Sequence, residues 1–158
     1  NNKWQPPASV DASLSFNISM RDEDFAIATL MHHPFLYVHF EVLRALLPTD
    51  ELLSHILAIF DTIFDHLPND QELATYYILG ACSAYQHELA AIIQRTNIET
   101  LIDAPEIADN LASEYSLALQ EKYLRLKIKA STTLIEKRNL RQQLNNLTKR
   151  IGLKLTLS

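Results

Sequence analysis

The chain has 158 residues, 47% of them hydrophobic, with 19 acidic and 14 basic side chains for a net charge of −5; this suffices for one core, as a single domain or a domain with an appendage. Only two glycines occur, Gly80 and Gly152, which excludes a P-loop or dinucleotide fingerprint and argues against sheet-rich folds with their turn glycines. The single cysteine, Cys82 in "YILGACSAY", rules out an intrachain disulfide and fits a reducing, cytoplasmic setting, and its small apolar neighbours mark it as core filling.

The chain opens at Asn1 rather than Met, which implies a piece cut from a longer protein. It shows no signal peptide, and its longest apolar stretch, "ILAIF" at 56–60, runs into Asp61, far short of a membrane span. Residues 1–19 contain Pro6–Pro7 and little periodicity, so they read as a linker from an upstream domain. A first helix is expected through "SMRDEDFAIATLMHH", capped by Ser19 or Asp22, with acids where the helix dipole favours them and Pro34 as terminator. "FLYVHFEVLRALL" is expected as a second helix, stopping at Pro48. A third begins after Thr49 and carries Leu53, Ile56, Leu57, Phe60, Ile63, Phe64 and Leu67 at helical spacing until Pro68.

"NDQE" presents Asn69 and Glu72 as a capping box. The run that follows is expected to divide at Gly80, with "AYQHELAAIIQR" as its second piece. A short helix "NIETLI" precedes "DAPEIADNL", where Asp103 or Ala104 caps and Pro105 takes the first helical position. Nothing interrupts that helix before "STT" at 131–133, so it runs for about 25 residues, near 40 Å. A last helix is expected to stop at Gly152 in a left-handed conformation. The leucines of "LKLTLS" then alternate as in an extended arm, or belong to a disordered end. The fold class is therefore all-α: a compact helical bundle over 20–105, then over 106–158 a long helix, a C-terminal helical hairpin and a tail.

Charge divides the chain more sharply than its net value suggests. Residues 1–121 hold four basic residues (Lys3, Arg21, Arg44, Arg95) and 18 acidic ones, or −14; residues 122–158 hold ten basic residues and one acid, Glu136, or +9. Opposite blocks on one small chain imply two surfaces with different tasks.

The long helix carries one apolar stripe, Ile107, Leu111, Tyr115, Leu119, Tyr123, Leu126 and Ala130, and a second set, Leu117, Leu124 and Ile128, elsewhere. Leu124 and Leu126 lie about 200° apart around the axis, so the distal half of this helix is apolar on opposite sides. The last helix offers one stripe, Leu140, Leu144, Leu147 and Ile151, which covers only one of them. The candidates to cover the other side are the helical bundle, a second copy of the chain or a different protein; because this region projects beyond the bundle, a partner is expected, with Leu153 and Leu155 adding apolar contacts. Burying a leucine is worth roughly 1.5–3 kcal/mol and an exposed ion pair about 0–1 kcal/mol. Leucines would therefore supply affinity, while Arg138, Arg141, Lys149 and Arg150 steer an acidic partner.

Catalytic chemistry finds little footing. The histidines (His32, His33, His39, His55, His66, His87) show no HExxH or Cys/His zinc spacing. Asp61 and Asp65, one turn apart, fall among the polar positions of an amphipathic helix, and no Ser/His/Asp or Cys/His constellation stands out. No metal, cofactor or small-molecule substrate is expected, and no membrane.

The segments "DFAIATLMHHPFL" and "IETLIDAPEIADNLASEYSLALQEKYLRLKIKA", the latter leading into the terminal hairpin, resemble the C-terminal helicase-binding domain of bacterial DnaG-type replicative primases. The resemblance covers about residues 22–151. It implies a non-catalytic domain of a primer-synthesising enzyme whose zinc-binding and polymerase domains lie upstream. It also implies a tether to the N-terminal domain of the replicative DNA helicase through the terminal hairpin. By position, Leu140, Leu144 and Leu147 match that family's hairpin stripe, Lys149 and Arg150 its basic end, and residues after Gly152 form an extension. Some family members also hold the acidic tail of single-stranded DNA-binding protein in a basic pocket. The corresponding places here are Asp22, Glu23, Asp24 and Thr100, with Arg21 and Arg95 the nearby cations and Ile27 and Leu101 the apolar neighbours. Two other readings fit the layout: the N-terminal domain of the helicase itself, a structural cousin, and a basic hairpin that binds nucleic acid.

Overall fold

The computed structural model describes residues 20–97 and 104–157, the side chains of 155–157 excepted. Seven α-helices and no strand occur among the described residues, so the fold is all-α.

Helix α1 (Asp22–His32) is the centre of the molecule and packs against four later helices. Such a position demands apolar or small residues all round, and Ala26, Ile27, Ala28, Leu30 and Met31 are all sealed. Its first turn carries Asp22, Glu23 and Asp24, and its N-cap position is Arg21 in extended backbone with no side-chain cap, so Asp22 is the first helical residue rather than the cap.

The expected second helix is instead three short pieces: a 3-10 turn (Pro34–Leu36), one α-turn, α2 (Tyr37–Phe40), and a 3-10 stretch (Glu41–Ala45). The buried positions explain this. Tyr37, Phe40 and Leu43 recur every third residue, and winding at three residues per turn keeps such a series on one side, as 3.6 does not. Tyr37 stacks on Phe60 at 5.2 Å and meets Phe64 at 5.0 Å.

Helix α3 (Leu52–Ile63) buries Leu53, Ile56, Leu57 and Phe60 and unwinds through a 3-10 turn (Phe64–His66), with Leu67 extended before Pro68. Helix α4 (Gln71–Ala81) is capped by Asp70, whose carboxylate accepts from the Leu73 backbone N–H at 3.0 Å. The cap thus lies one residue beyond Asn69, with an equally good capping side chain. The chain breaks at Cys82, two residues past Gly80, where a 3-10 turn (Ser83–Tyr85) leads into α5 (Gln86–Thr96). Cys82 is sealed in the core, and burial pushes its thiol up to about 11, so it is inert near neutrality. Asn97 closes α5 in the left-handed region, with φ 48°. The rest of the expected helix "NIETLI" lies outside the described residues.

Helix α6 (Pro105–Ala130) has 26 residues, about 39 Å, and begins with Ala104 as N-cap and Pro105 at the first position. Ala108, Ala112, Leu119 and Tyr123 insert into the same core as α1. Helix α7 (Leu134–Leu157) has 24 residues and returns along α6. It continues through Gly152, which is not left-handed, so neither the expected stop nor the extended arm is present. Glycine inside a helix costs about 1 kcal/mol relative to alanine; packing of the residues on either side outweighs it. Ile151 is half-buried, and Lys154 donates to Ser113 Oγ at 3.3 Å.

Candidate functional site

The hairpin is closed by a side-chain turn. Thr133 Oγ1 accepts from the Glu136 backbone N–H at 3.2 Å, and the Glu136 carboxylate accepts from buried Ser131 Oγ at 2.6 Å. The only acid among residues 122–158 is therefore engaged in the turn.

Of the residues expected to bind a partner, Leu124 and Leu147 are sealed within the monomer, so they hold the hairpin together rather than face outward. Leu117, Ile128, Leu140, Leu144 and Ile151 are half-buried. Leu153, Arg138, Arg141, Lys149 and Arg150 are exposed. The side chain of Leu155 lies outside those described.

The uncovered apolar surface is mostly elsewhere. Leu126 is 48% exposed although it lies two turns after Leu119, on a face that is sealed there; α6 outruns the bundle. Past the turn, Leu134 and Ile135 at the start of α7 are 65% and 72% exposed. The sequence reading missed Leu134 and Ile135 and assigned Leu126 to the inward stripe. One signal was available: Ile135 precedes Leu140 by five residues, about 140° around the axis from the inward stripe.

Charge reinforces this picture. Lys122 pairs with Glu23 and Arg125 with Glu121. The other eight of the ten basic residues, Lys127, Lys129, Lys137, Arg138, Arg141, Lys149, Arg150 and Lys154, form no ion pair with any described residue. A shallow groove between α7 and the Tyr37–Ala45 segment adds a second feature, with Val38, Val42 and Leu46 along one wall and Gln143, Asn146 and Arg150 along the other.

The opening of α1 is different. Arg21 donates to both oxygens of Glu51 at 3.0 Å and lies 3.6 Å from Asp24, while Arg95 lies 3.8 Å from Asp24. The bond to Glu51, followed by further carboxylates, pushes the Arg21 guanidinium still higher than usual. Both cations proposed for an acidic tail are thus already engaged. Ile27 is in the core, so it is not a surface contact, and Leu101 lies outside the described residues.

Next to them, Glu23 is fully buried. Its Oε2 accepts from Lys122 Nζ at 2.6 Å and from the Tyr123 hydroxyl, while Oε1 has no hydrogen-bond partner among the described residues. Burial pushes this carboxyl up, but the hydrogen bonds from Lys122 and Tyr123 outweigh it and hold it below the usual carboxylate range. Burial and the adjacent carboxylate push the Tyr123 hydroxyl up.

Two histidines, His39 and His55, serve as struts. His39 Nε2 meets Asp109 at 2.7 Å, and Ser116 Oγ donates to the His39 carbonyl rather than to its ring. His55 bridges the Thr49 carbonyl at 2.7 Å and the Tyr85 hydroxyl at 3.0 Å. No group of three or more His, Cys, Asp or Glu among the described residues could hold a metal ion, and no described helix is long and apolar enough to cross a membrane. No protein-family model, curated protein or solved structure matches this chain.

Proposed function

We propose that this chain is a non-catalytic, cytoplasmic protein-docking domain, and that it tethers a DnaG-type primase to the N-terminal domain of the replicative DNA helicase through its C-terminal hairpin. The observation that carries this reading is the coincidence of eight basic side chains without an ion pair and the exposed Leu126, Leu134, Ile135 and Leu153 on the same hairpin. Desolvated leucines supply affinity, and the cations accelerate encounter with an acidic surface. Primer synthesis itself belongs, on this reading, to domains upstream of Asn1.

The direct test is a titration of the purified chain with the helicase N-terminal domain. Leu134→Asp combined with Ile135→Asp weakens binding by at least about tenfold, since burying each side chain is worth roughly 1.5–3 kcal/mol. Removal of residues 140–158 abolishes binding. Unchanged affinity in the double variant rejects the assignment of the tip.

The unpaired cations also favour a second reading, nucleic-acid binding. It has weaker support, because the tyrosines of α6 are engaged inside the molecule: Tyr115 stacks on Phe25 and Tyr123 is buried against Glu23, so neither offers a free ring for base stacking. Titration with a short DNA duplex at two salt concentrations separates the two readings. The acidic tail of single-stranded DNA-binding protein is less well supported as a partner, because Arg21 and Arg95 already hold Asp24 and Glu51.

A further inference from the structure

Two patches of opposite character occur on this chain. The first is the hairpin tip, where Leu126, Leu134 and Ile135 are exposed beside Lys127, Lys129 and Lys137. The second is on α4. Leu73, Tyr76 and Tyr77 recur at i, i+3 and i+4, so they share one face, and Tyr76 is the most exposed of them at 64%. Gly80 extends that face by one turn with open space above it. Helix α4 packs on α1, on the Pro34–Leu36 turn and on the Ser83–Tyr85 turn, and Leu73, Tyr76 and Tyr77 stay exposed.

The stretch of sequence that contains α4 is the electrostatic complement of the tip. Between Arg44 and Arg95 the chain has no lysine or arginine, but it has seven acids; Glu51 and Asp61 are taken up by Arg21 and Arg44, which leaves Asp50, Asp65, Asp70, Glu72 and Glu88. Asp65, Asp70 and Glu72, close to the tyrosines in sequence, pair with no base among the described residues. A tip bearing leucines and lysines suits such a face twice over. The leucines cover the tyrosine rings, and the ammonium groups lie over the ring faces and beside the carboxylates.

We propose that the hairpin tip of one copy docks on the α4 face of a second copy. The two patches differ, so the contact is head to tail: every assembly keeps one free tip at one end and one free α4 face at the other, and mass grows with concentration. The patches are small, so association is weak and salt-sensitive. The inference does not depend on which acidic protein the hairpin otherwise binds, but such a protein competes for the same tip.

The test is sedimentation velocity on the 158-residue chain, from about 10 to about 500 µM, in about 50 and about 500 mM NaCl. At low salt the weight-average mass rises with concentration; at high salt it stays near that of one chain. Ile135→Asp and Tyr76→Asp alter side chains that are 72% and 64% exposed, so both fold, as circular dichroism checks. Each variant alone remains monomeric, whereas an equimolar mixture forms a heterodimer and nothing larger, because it contains one intact tip and one intact α4 face per pair. A wild-type chain that stays monomeric at low salt overturns the proposal, as does a mixture that fails to associate or a single variant that associates like the wild type.

Discussion

The body and the hairpin use the same residue types to opposite ends. In the body, Arg21, Arg44 and Arg95 all hold carboxylates, and leucines such as Leu30, Leu43 and Leu57 are completely sealed. In the hairpin most cations pair with no carboxylate among the described residues, and leucine burial ranges from complete at Leu147 to slight at Leu134. The controlling variable is the reach of the neighbouring element. Where α1 lies alongside α6, Leu119 and Tyr123 are core residues; where α6 runs on past the bundle, Leu126 on that face meets solvent. An arginine or leucine thus contributes stability in one region and remains available for binding in the other.

The largest expected effect probes the body. Phe60 is fully buried and stacked on Tyr37, so Phe60→Ala destabilises the fold by about 3–5 kcal/mol. Leu134→Ala on the hairpin changes stability by no more than about 0.5 kcal/mol. Chemical denaturation of the two variants measures the contrast directly, and similar midpoints would erase it.

The junction between the regions comes next, because Lys122 of α6, with Tyr123, ties α6 back to the buried Glu23 of α1. Lys122→Met leaves the buried Glu23 carboxylate with Tyr123 as its remaining side-chain donor. The lysine is half-exposed, so the loss is about 1–3 kcal/mol. This loss depends on pH. The folded-state carboxyl is depressed, so Glu23 contributes its stability fully above the unfolded value and loses it as pH falls through the depressed one. Wild-type stability therefore drops on acidification below the ordinary glutamate value of about 4.3, more steeply than that of Lys122→Met. Parallel acid-unfolding curves would show that this tie is not what couples the regions.

How much of this was legible in the sequence also follows the division. The start of α6 could be read because Pro105 can only sit at a first turn or a break, and the stripe of α3 because it keeps the 3.6 period. The 37–45 segment was misread because aromatic and leucine content suggested a helix, whereas the spacing of Tyr37, Phe40 and Leu43 set the winding. In the hairpin the excess of positive charge was plain, but the division of leucines into inward and outward was not. Leu124 and Leu126 were correctly placed on opposite sides; which side is covered depends on where the bundle ends and how far α7 returns, and both are tertiary facts.

Gly152 provides the smallest effect and the cleanest separation of local from tertiary control. As a left-handed helix stop, the position would penalise any Cβ, and Gly152→Ala would be destabilising. In the structure the residue lies inside α7 with helical backbone on both sides, and a Cβ there meets nothing within 4 Å. Alanine then removes the conformational freedom of glycine in the unfolded chain without straining the folded one, so Gly152→Ala stabilises by about 0.5–1 kcal/mol. The gain should be local: amide exchange slows in α7 around residues 148–156, while the protection of α1 and α3 stays as it was. A loss of stability instead would mean that α7 ends at Gly152 in solution. Lys154 would then lose its place beside Ser113, and the basic surface would be shorter by its last turn.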